Sequence, residues 1–170
     1  MANLVGEFAG FVAIGVSFFI YWQNDRKKLL FFKLIVDLLW STHFLFIGGY
    51  TAMLTTVISI FREILFVNRE KYQVLKKQIV PVIFCFFYIL AAIFTWKGVQ
   101  SLLPVIASCL ATIAFYHDKV NKIRVWSLLS SVLMFFNGIA CHSIANIVNE
   151  VITVSSIISG TIRSKKLEKE

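Results

Sequence analysis

Residues 29–66 read LLFFKLIVDLLWSTHFLFIGGYTAMLTTVISIFREILF, two long apolar runs that meet at Gly48-Gly49. No basic residue lies between Lys33 and Arg62, and the first run contains Asp37, Trp40 and His43. At about 1.5 Å per residue, runs of this length cover most of a hydrocarbon core. Joined by a two-glycine corner, they read as a transmembrane helical hairpin. Its turn lies on one side of a bilayer and both open ends on the other.

The rest of the chain fits that reading. Of its 170 residues, 58% are hydrophobic and only 15% charged, with a mean hydropathy of +0.79. Soluble domains carry about 25% charged residues. A globule this small could not bury so much apolar surface, so lipid must cover part of it. The expectation is one all-α integral membrane domain spanning 1–170. The net charge of +8 would suggest nucleic acid for a soluble protein. Here the basic residues fall between apolar runs, the pattern that orients a membrane protein, and no nucleic-acid-reading module is present. The lipid bilayer is therefore the expected partner, and nucleic acid is not. Cys85, Cys109 and Cys141 lie in apolar runs without metal-ligand spacing and read as packing residues. The first twelve residues hold no Lys or Arg, so the first run is expected to stay in the mature protein.

Seven runs follow one another: 4–22, 29–47, 50–66, 79–96, 101–116, 123–141 and 144–162. The fifth is the shortest and reaches full length only by starting near Val99. The fourth carries no charge and reads as a lipid-facing or purely structural helix. Residues 68–78 form the most polar internal stretch and the best linker, and the charged tail 163–170 is expected to fray. Seven crossings place alternate loops on opposite sides. All but one of the 17 basic residues then share a side, Lys97 being the exception. That bias predicts an outside N-terminus and a cytoplasmic C-terminus.

An internal repeat is also visible. Adding 94 to positions 18–65 lands, without gaps, on counterparts in the last three runs. Lys28 meets Lys122, Trp40 meets Met134, His43 meets Asn137, and Gly48-Gly49 meets His142-Ser143. Thr55-Thr56 meets Asn149-Glu150. Each unit repeats the order span, basic loop, span, uncharged turn, span. The organisation is therefore repeat one at 4–66, a linker helix at 79–96 and repeat two at 101–162. The two units run parallel in the membrane.

Several features carry a family resemblance: Tyr21-Trp22-Gln23 with the following DRKK, Trp40-Ser41-Thr42-His43, Arg62 closing the third span, and LLPVIAS at 102–108. The three-plus-one-plus-three layout resembles the PQ-loop/SWEET architecture of small-solute transporters. Within it, the chain resembles the bacterial YgjV family of inner membrane proteins, from about residue 5 to 163. The first resemblance implies a solute pathway between two triple-helix bundles, lined by a tryptophan and an asparagine from each. Trp40 and Asn149 match such positions in one repeat each, with Met134 and Thr55 opposite. The second implies a multi-pass protein of the bacterial inner membrane, where the outside N-terminus read from the charge bias would be periplasmic.

Seven residues are candidates for contact with a solute: Asp37, Trp40, His43, Asn137, Asn146, Asn149 and Glu150. A carboxylate inside a span costs several kcal/mol unless it is paired or hydrated. Asp37 can pair with Lys33 one turn away, or serve a polar pathway. Asp37, Trp40, Ser41 and Phe44 share one helical face, expected to look into the bundle. His43 reads as an interfacial histidine or a proton-linked group. No second histidine stands at ligand spacing, so no metal is expected. Asn146, Glu150 and Thr153 form a polar stripe on the last span. Arg62-Glu63 reads as a snorkelling anchor pair. No GxSxG, HExxH, P-loop or GxGxxG is present, so neither enzymatic activity nor a cofactor is expected. Two functions remain: binding or movement of a small polar solute, and a non-transporting scaffold or partner-binding subunit. A homo-oligomer is left open.

Overall fold

Gly48 takes a positive φ of 76° and ends the first long helix at the expected corner. The computed structural model describes residues 2–167, with side chains from Val5 onward. Seven α-helices follow in order: α1 Ala2–Trp22, α2 Arg26–Phe46, α3 Tyr50–Val67, α4 Ile79–Phe94, α5 Leu102–Tyr116, α6 Val120–Ala140 and α7 Ile144–Leu167. Short 3-10 turns occupy Gln73–Lys76 and Val99–Ser101. No strand occurs among the described residues. Residues 168–170 of the charged tail lie outside them.

Among the described residues, six helical segments are long and apolar enough to cross a membrane. The fifth α-helix proper is the shortest, at 15 residues, but the segment left below membrane length is α4. It has 16 residues, about 24 Å at helical rise against a core of about 30 Å. It stops at Phe94 rather than Trp96, and Gly98, at φ 122°, turns the chain. The Val99–Ser101 turn then leads into α5, giving the fifth segment 18 residues from Val99. Tail residues 163–167 continue α7 as helix rather than fraying.

The helices form a closed ring in the order α1, α2, α3, α5, α6, α7 and back to α1, with α4 outside against α3 and α5. Burial is inverted relative to a soluble protein. Phe8, Phe11, Phe86 and Phe94 stand exposed, while Arg62, Glu63, His43 and Asn146 are fully buried. A ring with an apolar outer face and a polar inner face needs lipid around it.

The halves share local geometry. The bounds of α2, shifted by 94, coincide with those of α6, and the start of α3 with that of α7. His142 takes φ 52°, at the position matching Gly48. Gly49 N–H donates to Phe44 O at 2.9 Å, and Ser143 N–H to Gly138 O at 2.9 Å. At the basic end, arginines tie the halves through helix-terminal carbonyls. Arg26 on α2 donates to Phe115 O and His117 O beyond α5, and to Phe66 O of α3. Arg124 on α6 donates to Tyr21 O and Gln23 O at the end of α1. Gly160 makes room for this contact: a Cβ there would sit 2.1 Å from Tyr21 O. At the opposite end Lys97 donates to Gly48 O at 2.9 Å.

Candidate functional site

A cavity of about 110 Å³ lies inside the ring, room for several waters or one small solute. Every helix of the ring lines it, and α4 does not. From α2 come Asp37, Trp40 and Phe44, at helical spacing on one face. Ser41 is not among them; its hydroxyl bonds Leu38 O instead. From α7 come Asn146, Asn149, Glu150 and Thr153, again one face. Ser127, Ser130, Ser131 and Met134 of α6 complete that wall.

Five of the seven candidate residues therefore meet at one cavity: Asp37, Trp40, Asn146, Asn149 and Glu150. Asp37 Oδ1 accepts from Lys33 Nζ in an intrahelical ion pair. Its Oδ2 is buried without a protein partner, as are Trp40 Nε1 and Asn149 Oδ1. Glu150 is held differently. Ser131 Oγ donates to one carboxyl oxygen, and Asn149 Nδ2 to the other at 3.0 Å. Among the described residues it has no ion-pair partner. Asn146 Nδ2 donates to Met134 O at 3.2 Å, fixing α7 to α6.

His43 and Asn137 lie elsewhere. His43, in the last turn of α2, is fully buried between α1 and the α6–α7 turn. Its Nδ1 sits 2.9 Å from Gly6 O and its Nε2 3.0 Å from Ser143 Oγ. Both ring nitrogens are thus committed to joining elements. Gly10 makes the space, since a Cβ there would come 2.8 Å from His43 Nδ1. Asn137 lines a second pocket of about 180 Å³ at the Gly48 end, beside Ser101 and near Lys97, with its Nδ2 unpartnered.

Arg62-Glu63 is not a snorkelling pair. Both residues are buried, at 1% and 0% exposure, and they are ion-paired to each other. Arg62 also donates to Thr112 Oγ1 at 2.8 Å, Tyr88 Oη at 3.1 Å and Ser108 O at 3.3 Å. Arg62 lines the cavity as well. The pair turns inward because α3 carries a polar stripe, Thr55, Ser59 and Arg62, that has no place against lipid. That stripe was the available sequence signal. Tyr88 was not legible, since α4 is otherwise apolar and mostly faces outward. Outside the spans, the Lys27 ammonium lies 2.6 Å from Glu70 and holds its carboxyl below the usual carboxylate range.

Membrane-length helices enclosing a cavity with ionisable walls define an all-helical, multi-pass integral membrane protein. The family model of Imp-YgjV, bacterial inner membrane protein, matches residues 4–168. The chain belongs to that family and is a multi-pass protein of the bacterial inner membrane. No curated protein and no solved structure matches it.

Proposed function

We propose that the protein binds and moves a small polar solute through the central cavity, and is not an enzyme. One observation carries the reading. Asp37 Oδ2, Trp40 Nε1, Asn149 Oδ1, Arg62 Nε and Ser127 Oγ are buried, unpartnered and on residues lining the same cavity. Each unpaired buried polar atom costs about 1–3 kcal/mol. Five around one space are relieved together by a hydrogen-bonding solute.

Two triple-helix units joined by α4 provide the frame, with α4 as a seventh crossing. The coincident helix bounds, the matching Gly48 and His142 turns and the ring order support the duplication. This is the SWEET-like three-plus-one-plus-three layout. The crowding of basic residues at one end supports a periplasmic N-terminus and a cytoplasmic C-terminus.

The test is flux into proteoliposomes across a panel of polyols, amines, amino acids and carboxylates. At least one class should enter faster than into protein-free vesicles. Asp37→Asn and Asn149→Ala should slow it about tenfold, the loss of one charged or buried hydrogen bond. No accelerated class, or unchanged flux in folded variants, would refute the reading. The scaffold reading draws on a different observation: Lys33–Asp37 and Arg62–Glu63 close on themselves as ion pairs. It predicts that Lys33→Leu with Asp37→Leu folds and functions normally, and that a stoichiometric partner co-purifies.

A further inference from the structure

The charges around the cavity do not balance. Its lining holds two cations, Lys33 and Arg62, and two carboxyls, Asp37 and Glu150. Arg62 is already paired with Glu63, which is fully buried behind it. Lys33 is paired with Asp37. Glu150 is left as a carboxyl with only neutral donors, Ser131 and Asn149. Beside it Asn149 Oδ1 is an unpaired acceptor, and Asp37 Oδ2 on α2 is another. The free groups that α2 and α7 offer are thus mostly acceptors, with one surplus carboxyl. Trp40 Nε1 is an unpaired donor among them, and across the cavity α3 adds the donor Arg62 Nε and α6 the hydroxyl Ser127 Oγ.

We propose that the solute is a small organic cation bearing N–H groups, an ammonium or a guanidinium. It is held between Asp37 on α2 and Asn149-Glu150 on α7. The proposal rests on the transport reading above. A cation supplies what the acceptors lack, N–H donors and positive charge. A hydrogen bond to a charged group is worth about twice a neutral one, so a neutral solute of equal shape is bound less well. A carboxylate solute would face the surplus carboxyl directly. Where the solute also carries an acceptor atom, Trp40 Nε1 donates to it; a bare guanidinium is held by the acceptors alone.

Guanidinium, urea and nitrate share a planar three-armed shape and differ mainly in charge, so they separate charge from size. Their entry into proteoliposomes is compared with entry into protein-free vesicles. Guanidinium is expected to enter at least about tenfold faster relative to that control, with urea and nitrate near it. Glu150→Gln should remove most of the guanidinium effect. Where Glu150→Gln is not recovered folded, Asn149→Ala is read in the same way. Unchanged guanidinium entry in a folded variant overturns the proposal. Preferential entry of urea or nitrate overturns it too, while leaving the transport reading intact. If none of the three enters but the wider panel holds a neutral or anionic mover, the cation proposal again falls alone. If nothing enters at all, both readings fall.

Discussion

The segment α1–α3 and the segment α5–α7 each give three helices to the ring, with coincident bounds at α2 and α6, but their chemistry differs. Under the 94-residue shift, Lys33 corresponds to Ser127, Asp37 to Ser131, Trp40 to Met134 and Arg62-Glu63 to Ser156-Ile157. At the cavity, the first segment holds its charges as ion pairs. The second holds hydroxyls and the single carboxyl of Glu150. Yet matched positions tie the same seams. Arg62 on α3 reaches Thr112 on α5, and Ser156 on α7 reaches Phe18 O on α1. The α3–α5 seam is thus closed by a guanidinium and the α7–α1 seam by a hydroxyl. The frame depends on run length and corners, and the cavity chemistry on a few substitutable side chains.

That contrast should appear first in stability. Removing one member of a buried ion pair strands the other, at about 3–5 kcal/mol. Arg62→Leu and Glu63→Leu are each expected to cost that much in unfolding titrations in mixed micelles. Ser156→Ala should cost only about 1 kcal/mol, one neutral hydrogen bond. Similar losses at both seams would mean that the Arg62–Glu63 pair is hydrated rather than locked.

The arginine ties at the basic end should differ less. Arg26 and Arg124 each hold carbonyls at the end of a helix from the other segment. Arg26→Gln and Arg124→Gln should each cost about 1.5–3 kcal/mol, the worth of charged hydrogen bonds. Both should speed amide exchange at Tyr21–Gln23 and Phe115–His117. Loss at one end only would show that a single tie carries the closure.

The smallest effects belong to the corners. Gly48 and His142 share a left-handed backbone, but only glycine adopts it without strain. Gly48→Ala should destabilise by about 1 kcal/mol. His142→Gly should stabilise by a few tenths up to about 1 kcal/mol, both read from thermal unfolding.

The fold was largely legible because lipid imposes so few solutions. Long apolar runs separated by basic loops leave helices and short turns. Helix ends were less so. In QNDRKK the helix starts at Arg26, with Asp25 as its cap accepting from Lys28 N–H, and α6 begins at Val120 rather than at residue 123. An apolar run marks only the part of a helix inside hydrocarbon, while the helix continues into the headgroup layer. Asp37, Asn149 and Glu150 stood out because polar groups within spans are costly. Arg62-Glu63 did not, since a residue near a run's end satisfies snorkelling equally well until the third dimension shows it facing inward. The α6 serines were silent because a hydroxyl in a helix can bond its own backbone.

Whether the ring encloses a polar space is tested most directly by two adjacent residues of α6. Ser131 lines the cavity at 4% exposure, and Val132 faces outward at 48%. In a background with Cys85, Cys109 and Cys141 replaced by alanine, Ser131→Cys in native membranes should react with a small charged methanethiosulfonate reagent. Val132→Cys, facing lipid where no thiolate forms, should stay inert. Equal inertness at both positions, or reaction at Val132→Cys alone, would contradict a water-reachable cavity between the two segments.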